Sequence, residues 1–338
     1  MIISKTPYRI SFFGGGSDFP EWYDKHGGIV ISTTINKYIY ISCRNLPSFF
    51  RHKHRLVYSK IELVKNTNKI KHPVLNKVLN NIYKNKINSG LEIHYDGDFP
   101  ARSGIGSSSS FTVGLLNALD NYYLIKRSKK ELANQSIHLE QNLLNERVGS
   151  QDQIAAAHGG FNEINFFKNG KYKIKPLIND NQKLKNFEKK FVLVFTGTRK
   201  RNQTSDTISR NFIKKISTSK KNNIFEIMRY AEIAKKLIQN SQFDEIGKLL
   251  NETWKIKKDL SKLISNNKID ELYNYGINNG ALGGKLLGAG GAGFLLFYVP
   301  EEKQTKFIKS IKYNNKSIIV PFNFEAEGSK IIFNDQKN

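Results

Sequence analysis

Apolar and polar side chains alternate over residues 91–97, Leu-Glu-Ile-His-Tyr-Asp-Gly, which predicts a strand with one buried face. After a break at residues 100–110 the period changes. Phe111, Val113, Leu115, Leu116 and Leu119 recur at helical spacing. Residues 29–42 are rich in β-branched and aromatic side chains and read as one or two strands, with shorter strand candidates at 10–13, 56–58 and 61–64. Residues 74–83 have a helical apolar period. Ser128 and Glu131 have the spacing of a capping box and open a helix that runs to about residue 145. Residues 161–167 and 171–177 flank Asn169-Gly170, a strong hairpin signal. Residues 191–195 predict a buried strand, and the pattern from 204 to 279 is helical, in segments 224–239, 243–264 and 269–277. A strand at 294–299, a helix opened by Pro300-Glu-Glu, and strands at 317–321 and 323–327 close the chain. Strands and helices mix without a strict βαβ alternation or an internal repeat, so the expected class is α+β. The polar stretch 179–190 is the expected boundary between two domains, 1–185 and 186–338.

Composition narrows this picture only a little. At 338 residues and 39% hydrophobic, the chain can bury a sizeable core. The single cysteine, Cys43, excludes an internal disulfide and suits a reducing compartment. No apolar run reaches the length of a membrane span, and the first residues lack the apolar stretch of a signal peptide, so a cytoplasmic protein without a membrane partner is expected. The net charge of +25 suits anionic partners. Its lysines are dispersed, without a basic tail or basic patches with interleaved aromatics, which argues against nucleic acid and leaves phosphorylated small molecules. No histidine has metal-ligand spacing to the cysteine, so zinc is not expected.

Residues 100–111, Pro-Ala-Arg-Ser-Gly-Ile-Gly-Ser-Ser-Ser-Ser-Phe, lie between the predicted strand and helix. Glycine lets backbone approach closely, and the first N–H groups of a helix have no helical partner, so an anion can sit there. The same residues also read as a glycine turn with serines capping an ordinary helix. They are not a Walker A loop, because no Gly-Lys-Ser/Thr follows, nor G-x-G-x-x-G, because Ser109 fills the third glycine place. Three further places carry glycines or acids: 9–18 with Gly14-Gly15-Gly16, 140–153, and 283–293. A phosphoryl-transfer enzyme needs such parts in combination: amides around the phosphates, a group for Mg²⁺, a residue for the acceptor hydroxyl and a cation nearby.

In that order the segments resemble the motifs of the GHMP kinases. Residues 6–18 are similar to the family's first motif, 100–109 to its phosphate loop with Ile105 in the leucine place, and 285–293 to its C-terminal glycine motif with Ala292 where glycine is common. The run 9–20, residues 32–40, residues 106–117, Gln151-Asp152-Gln153 and Thr196-Gly-Thr-Arg199 resemble most the branch acting on D-glycero-D-manno-heptose 7-phosphate. The Gly-Glu-His of galactokinase is absent. The resemblance implies a two-domain fold, ribosomal-S5-like at the N-terminus and ferredoxin-like at the C-terminus. It implies ATP and Mg²⁺ as cofactors, a sugar phosphate as substrate, and a product feeding nucleotide-activated heptose for capsule or lipopolysaccharide. The oligomeric expectation is a monomer or homodimer.

Residue by residue, it implies that Asp152 and Arg9 are catalytic. Gly104, Ile105, Gly106, Ser107, Ser108 and Ser109 would hold the ATP phosphates, and Ser108 and Glu140 the metal. Gly14, Gly15, Gly16, Ser17 and Asp18 would hold the sugar, with Gly290 and Gly291 beside it. Charge and placement alone suggest Arg199, with Lys200 and Arg201, and Lys285 for the sugar's phosphate; the same cations also read as a solvated face. Within the family a fucose- or hexose-type 1-kinase is the alternative, and a catalytically silent sugar or nucleotide binder is another.

Overall fold

The computed structural model describes residues 1–199, 205–216, 220–315 and 317–335. In chain order the strands are β1 (Ile2–Phe13), β2 (Gly28–Leu46), β3 (His54–Val57), β4 (Ile61–Val64), β5 (Gly90–Gly97), β6 (Phe161–Phe166), β7 (Tyr172–Pro176), β8 (Phe191–Gly197), β9 (Gly283–Leu286), β10 (Gly293–Tyr298), β11 (Ile318–Val320), β12 (Phe324–Glu325) and β13 (Lys330–Asn334). The helices are α1 (Pro20–His26), α2 (Pro73–Lys77), α3 (Ser107–Tyr122), α4 (Lys129–His138), α5 (Gln151–His158), α6 (Asn181–Glu188), α7 (Ser205–Ile216), α8 (Lys221–Gln239), α9 (Phe243–Leu260), α10 (Asn267–Asn278) and α11 (Glu301–Asn315).

The mixed class holds, with two sheets. Nine strands form the first, in the order β13-β1-β2-β5-β3-β4, with β6 and β12 also paired to the long β2 and β7 paired to β6. The second has the order β11-β8-β10-β9, all antiparallel, with helices between β8 and β9 and between β10 and β11. That is the ferredoxin-like arrangement. The last two strands, β12 and β13, return to the first sheet and pair with β2 and β1.

Several features of the first sheet were hidden from local pattern. β1 begins well before residue 10, because Pro7 sits at a register shift where the missing N–H costs no ladder bond. Its residues from Pro7 onward carry little surface on either face, since α3 and α5 from the first layer and α8 and α9 from the second all touch it. The polar stretch near 179–190 is helix α6, whose Asp180 side chain caps it and whose Phe187 is fully buried. Phe187 stands in an aromatic cluster with Phe12, Phe161, Phe191 and Phe324, ring centroids 5.0–6.3 Å from it, that joins the two sheets. The hairpin, the capping box and the serine-rich helix form as expected.

Candidate active site

Both sheets face one cavity of about 640 Å³. Its floor is the turn between β5 and α3. Gly104 and Gly106 both have left-handed backbone, φ +82° and +73°, which glycine alone adopts without strain. Gly106 is the N-cap of α3 and leaves the first-turn amides facing the cavity. A Cβ on Gly106 would lie 3.1 Å from Arg9 Cγ and 3.3 Å from Asp152 Oδ2, so this turn rests directly on that side-chain pair.

Arg9 comes from the middle of β1 and Asp152 from the first turn of α5. Arg9 Nε and Nη2 donate to the two carboxylate oxygens of Asp152, each at 2.6 Å, while Nη1 donates to Gly104 O at 3.2 Å. The backbone N–H of Arg9 donates to Ile105 O at 3.2 Å. Arg9 is 4% exposed, whereas Asp152 keeps 21% of its surface open to the cavity. One planar guanidinium thereby fixes the carboxylate and the phosphate-loop turn together.

Glu140 sits on a π-helical turn, Leu139–Leu143, that continues α4. Such turns redirect a side chain out of the regular helical path. Ser109 Oγ and Gln153 Nε2 donate to Glu140 Oε2 at 2.9 and 2.6 Å, and Oε1 is buried without a hydrogen-bond partner among the described residues. Burial first, and Glu146 second, push this carboxyl up to about 8. Ser109, not Ser108, makes the serine contact; Ser108 is exposed at the cavity. A buried carboxylate whose Oε1 has no hydrogen-bond partner among the described residues, beside serine hydroxyls and first-turn amides, fits Mg²⁺. That ion binds through one or two carboxylates together with substrate phosphates. Among the described residues no group of three His, Cys, Asp or Glu could hold a metal by itself.

The turn after β1 forms the opposite wall. Asp18 is 1% exposed, accepts from Gly16 N at 2.9 Å and from Gln151 Nε2 at 3.0 Å, and is raised above the usual carboxylate range by burial, with Asp152 adding to the rise. Gly15, Gly16 and Asp18 line the cavity. Gly14 and Ser17 do not: Ser17 Oγ donates to Gly14 O and accepts from Ile29 N, so these two pin the turn to β2. Phe212 of α7 closes over the turn, its ring 5.3 Å from that of Phe19.

From the second layer come Arg199 just after β8, Lys257 of α9 and Lys285 of β9, all lining the cavity. Arg199 is 7% exposed, and burial lowers it to about 10, with Arg9 and Arg102 adding to the effect. Lys285 Nζ donates to Phe12 O at 2.7 Å. Lys200 and Arg201 lie outside the described residues. Gly290 and Gly291 are not at the cavity. Gly290 packs against the backbone of Ile264, and Gly291 N donates to Ile264 O at 2.9 Å. It is Gly288 that meets the phosphate loop: a Cβ there would lie 2.3 Å from Gly104 O.

Sequence reasoning missed two groups. One is an aromatic corner beside the start of α3, where Phe111 lies 5.3 Å from the His72 ring and 5.4 Å from the Tyr95 ring, and Tyr58 packs on His72 at 4.7 Å. The residues come from four separate stretches of the chain, the connections at Tyr58 and His72, β5 and α3, so no local spacing marks them. The other is Lys257, one of three lysines within residues 255–258 and indistinguishable from them by pattern.

Residues 62–160 match the family model "GHMP kinases N terminal domain" and residues 234–312 match "GHMP kinases C terminal". The chain is 28% identical to a D-glycero-alpha-D-manno-heptose 7-phosphate kinase of Campylobacter jejuni, over 97% of this chain and 98% of that protein. It is 31% identical to the mevalonate kinase of Methanocaldococcus jannaschii, over 70% of this chain and 69% of that one. Its fold matches a crystal structure of a D-glycero-D-manno-heptose 1-phosphate kinase from Bacteriodes thetaiotaomicron with a TM-score of 0.80 at 23% identity, covering 99% of both chains.

Proposed function

The chain belongs to the GHMP kinases, and we propose that it transfers the γ-phosphoryl group of ATP to the anomeric hydroxyl of D-glycero-α-D-manno-heptose 7-phosphate. The product is the 1,7-bisphosphate, a precursor for nucleotide-activated heptose in capsule or lipopolysaccharide assembly. The observation that carries this reading is the full-length similarity to a heptose 7-phosphate kinase. A cavity lined by Arg102, Arg199, Lys257 and Lys285 besides Arg9 supports an acceptor that is itself phosphorylated.

In this reading the amides of residues 107–109 hold the triphosphate, and the corner of His72, Tyr95 and Phe111 takes the base. Glu140, with Ser108 and Ser109, would hold Mg²⁺, which supplies charge neutralisation at the β- and γ-phosphates. Asp18 and the backbone of Gly15 and Gly16 bind sugar hydroxyls. The open edge of Asp152 accepts the proton of the anomeric hydroxyl as that oxygen bonds to the γ-phosphorus and the bond to the β–γ bridging oxygen breaks. Arg9 holds Asp152 in place and offsets charge on the transferred group. The site draws on both sequence halves, 1–185 and 186–338.

The test is a panel of free and phosphorylated heptoses, fucose, hexoses and mevalonate with Mg-ATP, with the position of the new phosphate read by ³¹P NMR. Phosphorylation of heptose 7-phosphate at the anomeric carbon, well above all other acceptors, is the expected result. A preference for an unphosphorylated sugar or for mevalonate would reject it.

A further inference from the structure

Lys257 has no ion-pair partner among the described residues, although it stands in the wall of the active-site cavity. Its neighbours on α9 are paired: Lys258 with Asp270, Asp259 with Lys220 and Lys255 with Glu252. Lys257 Nζ instead donates to two backbone carbonyls, Leu286 O at 2.9 Å and Gly288 O at 2.6 Å. Carbonyl dipoles satisfy its N–H groups but bring no counter-charge. The formal charges around it are mostly of its own sign: Arg9, Arg199 and Lys285. The two acids nearby are committed, Asp152 to Arg9 and Asp18 to Gly16 and Gln151.

We propose that Lys257 determines acceptor specificity, its ammonium being the counter-charge for a phosphate monoester on the sugar while its carbonyl bonds hold the 286–288 turn against the phosphate loop. This rests on the kinase reading above. The triphosphate already has the helix amides and the Glu140 side of the cavity. Lys257 stands between the 286–288 turn, which rests on Gly104, and Lys285, whose partner Phe12 O leads directly into the sugar-side turn 14–18. A dianion there gives Lys257 the counter-charge that no ion pair among the described residues supplies.

A pH signature follows. Burial, with Arg9 and Arg199, lowers Lys257 to about 7. A bound dianion raises it again, so binding takes up a proton. Acceptor affinity should be highest between the second pKa of the phosphate monoester, about 6, and pH about 7, and fall above it as Lys257 loses its proton.

The experiment compares the full-length wild type with Lys257→Met and Lys257→Arg, using heptose 7-phosphate and unphosphorylated heptose. KM for each acceptor, KM for ATP and kcat are measured from pH 6 to 9, alongside thermal melting. We expect Lys257→Met to raise KM for heptose 7-phosphate by about tenfold or more. KM for ATP and KM for unphosphorylated heptose should rise by a clearly smaller factor than KM for heptose 7-phosphate, Lys257→Arg should recover much of the loss, and the pH slope should vanish in Lys257→Met. Equal effects on both acceptors, an effect confined to ATP, a uniform fall in kcat with a lowered melting temperature, or a pH slope that survives the substitution would each overturn the proposal. A wild type that phosphorylates no phosphorylated sugar fails the functional reading itself, and is recognised before any variant is compared.

Discussion

Asp152→Asn separates two things the Arg9–Asp152 pair does. The amide keeps the shape of the carboxylate, and its oxygen can still accept one of the two Arg9 N–H groups now donated at 2.6 Å. The second N–H then meets an NH₂ group, and the negative charge is gone. Arg9 is 4% exposed, so its guanidinium is left buried with half its acceptors and the carbonyl of Gly104. Stranding one partner of a fully buried pair costs about 3–5 kcal/mol. Asp152 is 21% exposed, so water reaches that edge, and a loss of about 1–3 kcal/mol is the better expectation. The catalytic cost is separate: removing a positioned proton acceptor lowers the rate by about 10²–10⁴. The assay is steady-state ADP release with saturating acceptor, beside a thermal melt and a nucleotide-binding titration. The expected result is a large fall in kcat, a melting temperature lower by several degrees, and nucleotide affinity nearly intact, since the first-turn amides of α3 proposed for the phosphates are untouched. A kcat within tenfold of wild type, in a variant that melts lower as calculated, would remove Asp152 from proton transfer and leave it a structural partner of Arg9.

Three further outcomes can be checked. Glu140→Gln keeps the contact with Ser109 but removes the carboxylate charge beside that serine; the Mg²⁺ concentration for half-maximal rate should rise by about tenfold or more, and an unchanged magnesium titration refutes the assignment. Gly288→Ala places a Cβ 2.3 Å from Gly104 O at φ +67°, so it should lower the melting temperature and raise KM for ATP, with strain alone on the order of 1–2 kcal/mol; wild-type values for both would mean the two turns do not bear on each other. His54 is 2% exposed and burial lowers it to about 4, so on acidification the unfolded chain, with an ordinary histidine near 6.5, takes up its proton first. About 3 kcal/mol of stability should therefore be lost as pH falls from 6.5 to 4, and His54→Leu should flatten that slope in chemical denaturation; an unaltered slope would place the acid sensitivity elsewhere.

How far the sequence reached depended on the range of the forces involved. The Ser128–Glu131 capping box, the Asn169-Gly170 hairpin and the turn from β5 into α3 are decided by neighbours in the chain, and all three were legible. The first half of β1 was not, because Pro7 reads as a strand breaker until its bulge against β2 is seen. Nor was α6, because seven of its eight residues are outside the core and only Phe187 enters the aromatic cluster. In the candidate site, Arg9 and Asp152 were singled out through distinctive local strings and Glu140 through its place twelve residues before Asp152. The tasks of the glycines were harder to divide. Gly14 and Gly290 have the same signature as Gly16 and Gly288, yet the first two pack on backbone away from the cavity while the others bear on it or on the phosphate loop.

That division of glycines explains why the site needs both sheets. Backbone can touch backbone only where neither residue carries a Cβ in the way, and the contacts of Gly288 with Gly104 and of Gly293 with Ser103 seat the second sheet's turn directly on the phosphate loop. Seating it there brings Arg199, Lys257 and Lys285 around an Arg9 whose charge is already matched by Asp152. This gathers like charge in a buried place, and burial first, with the neighbouring cations second, depresses Lys257 and Lys285. The apolar contacts of Phe12, Phe187 and Phe191 between the layers have to outweigh it. An anionic pair of ligands reverses the sign of the interaction: the charges that oppose docking of the second sheet then favour it. Docking of the second sheet and binding of an anion in the cavity would then be linked, each favouring the other.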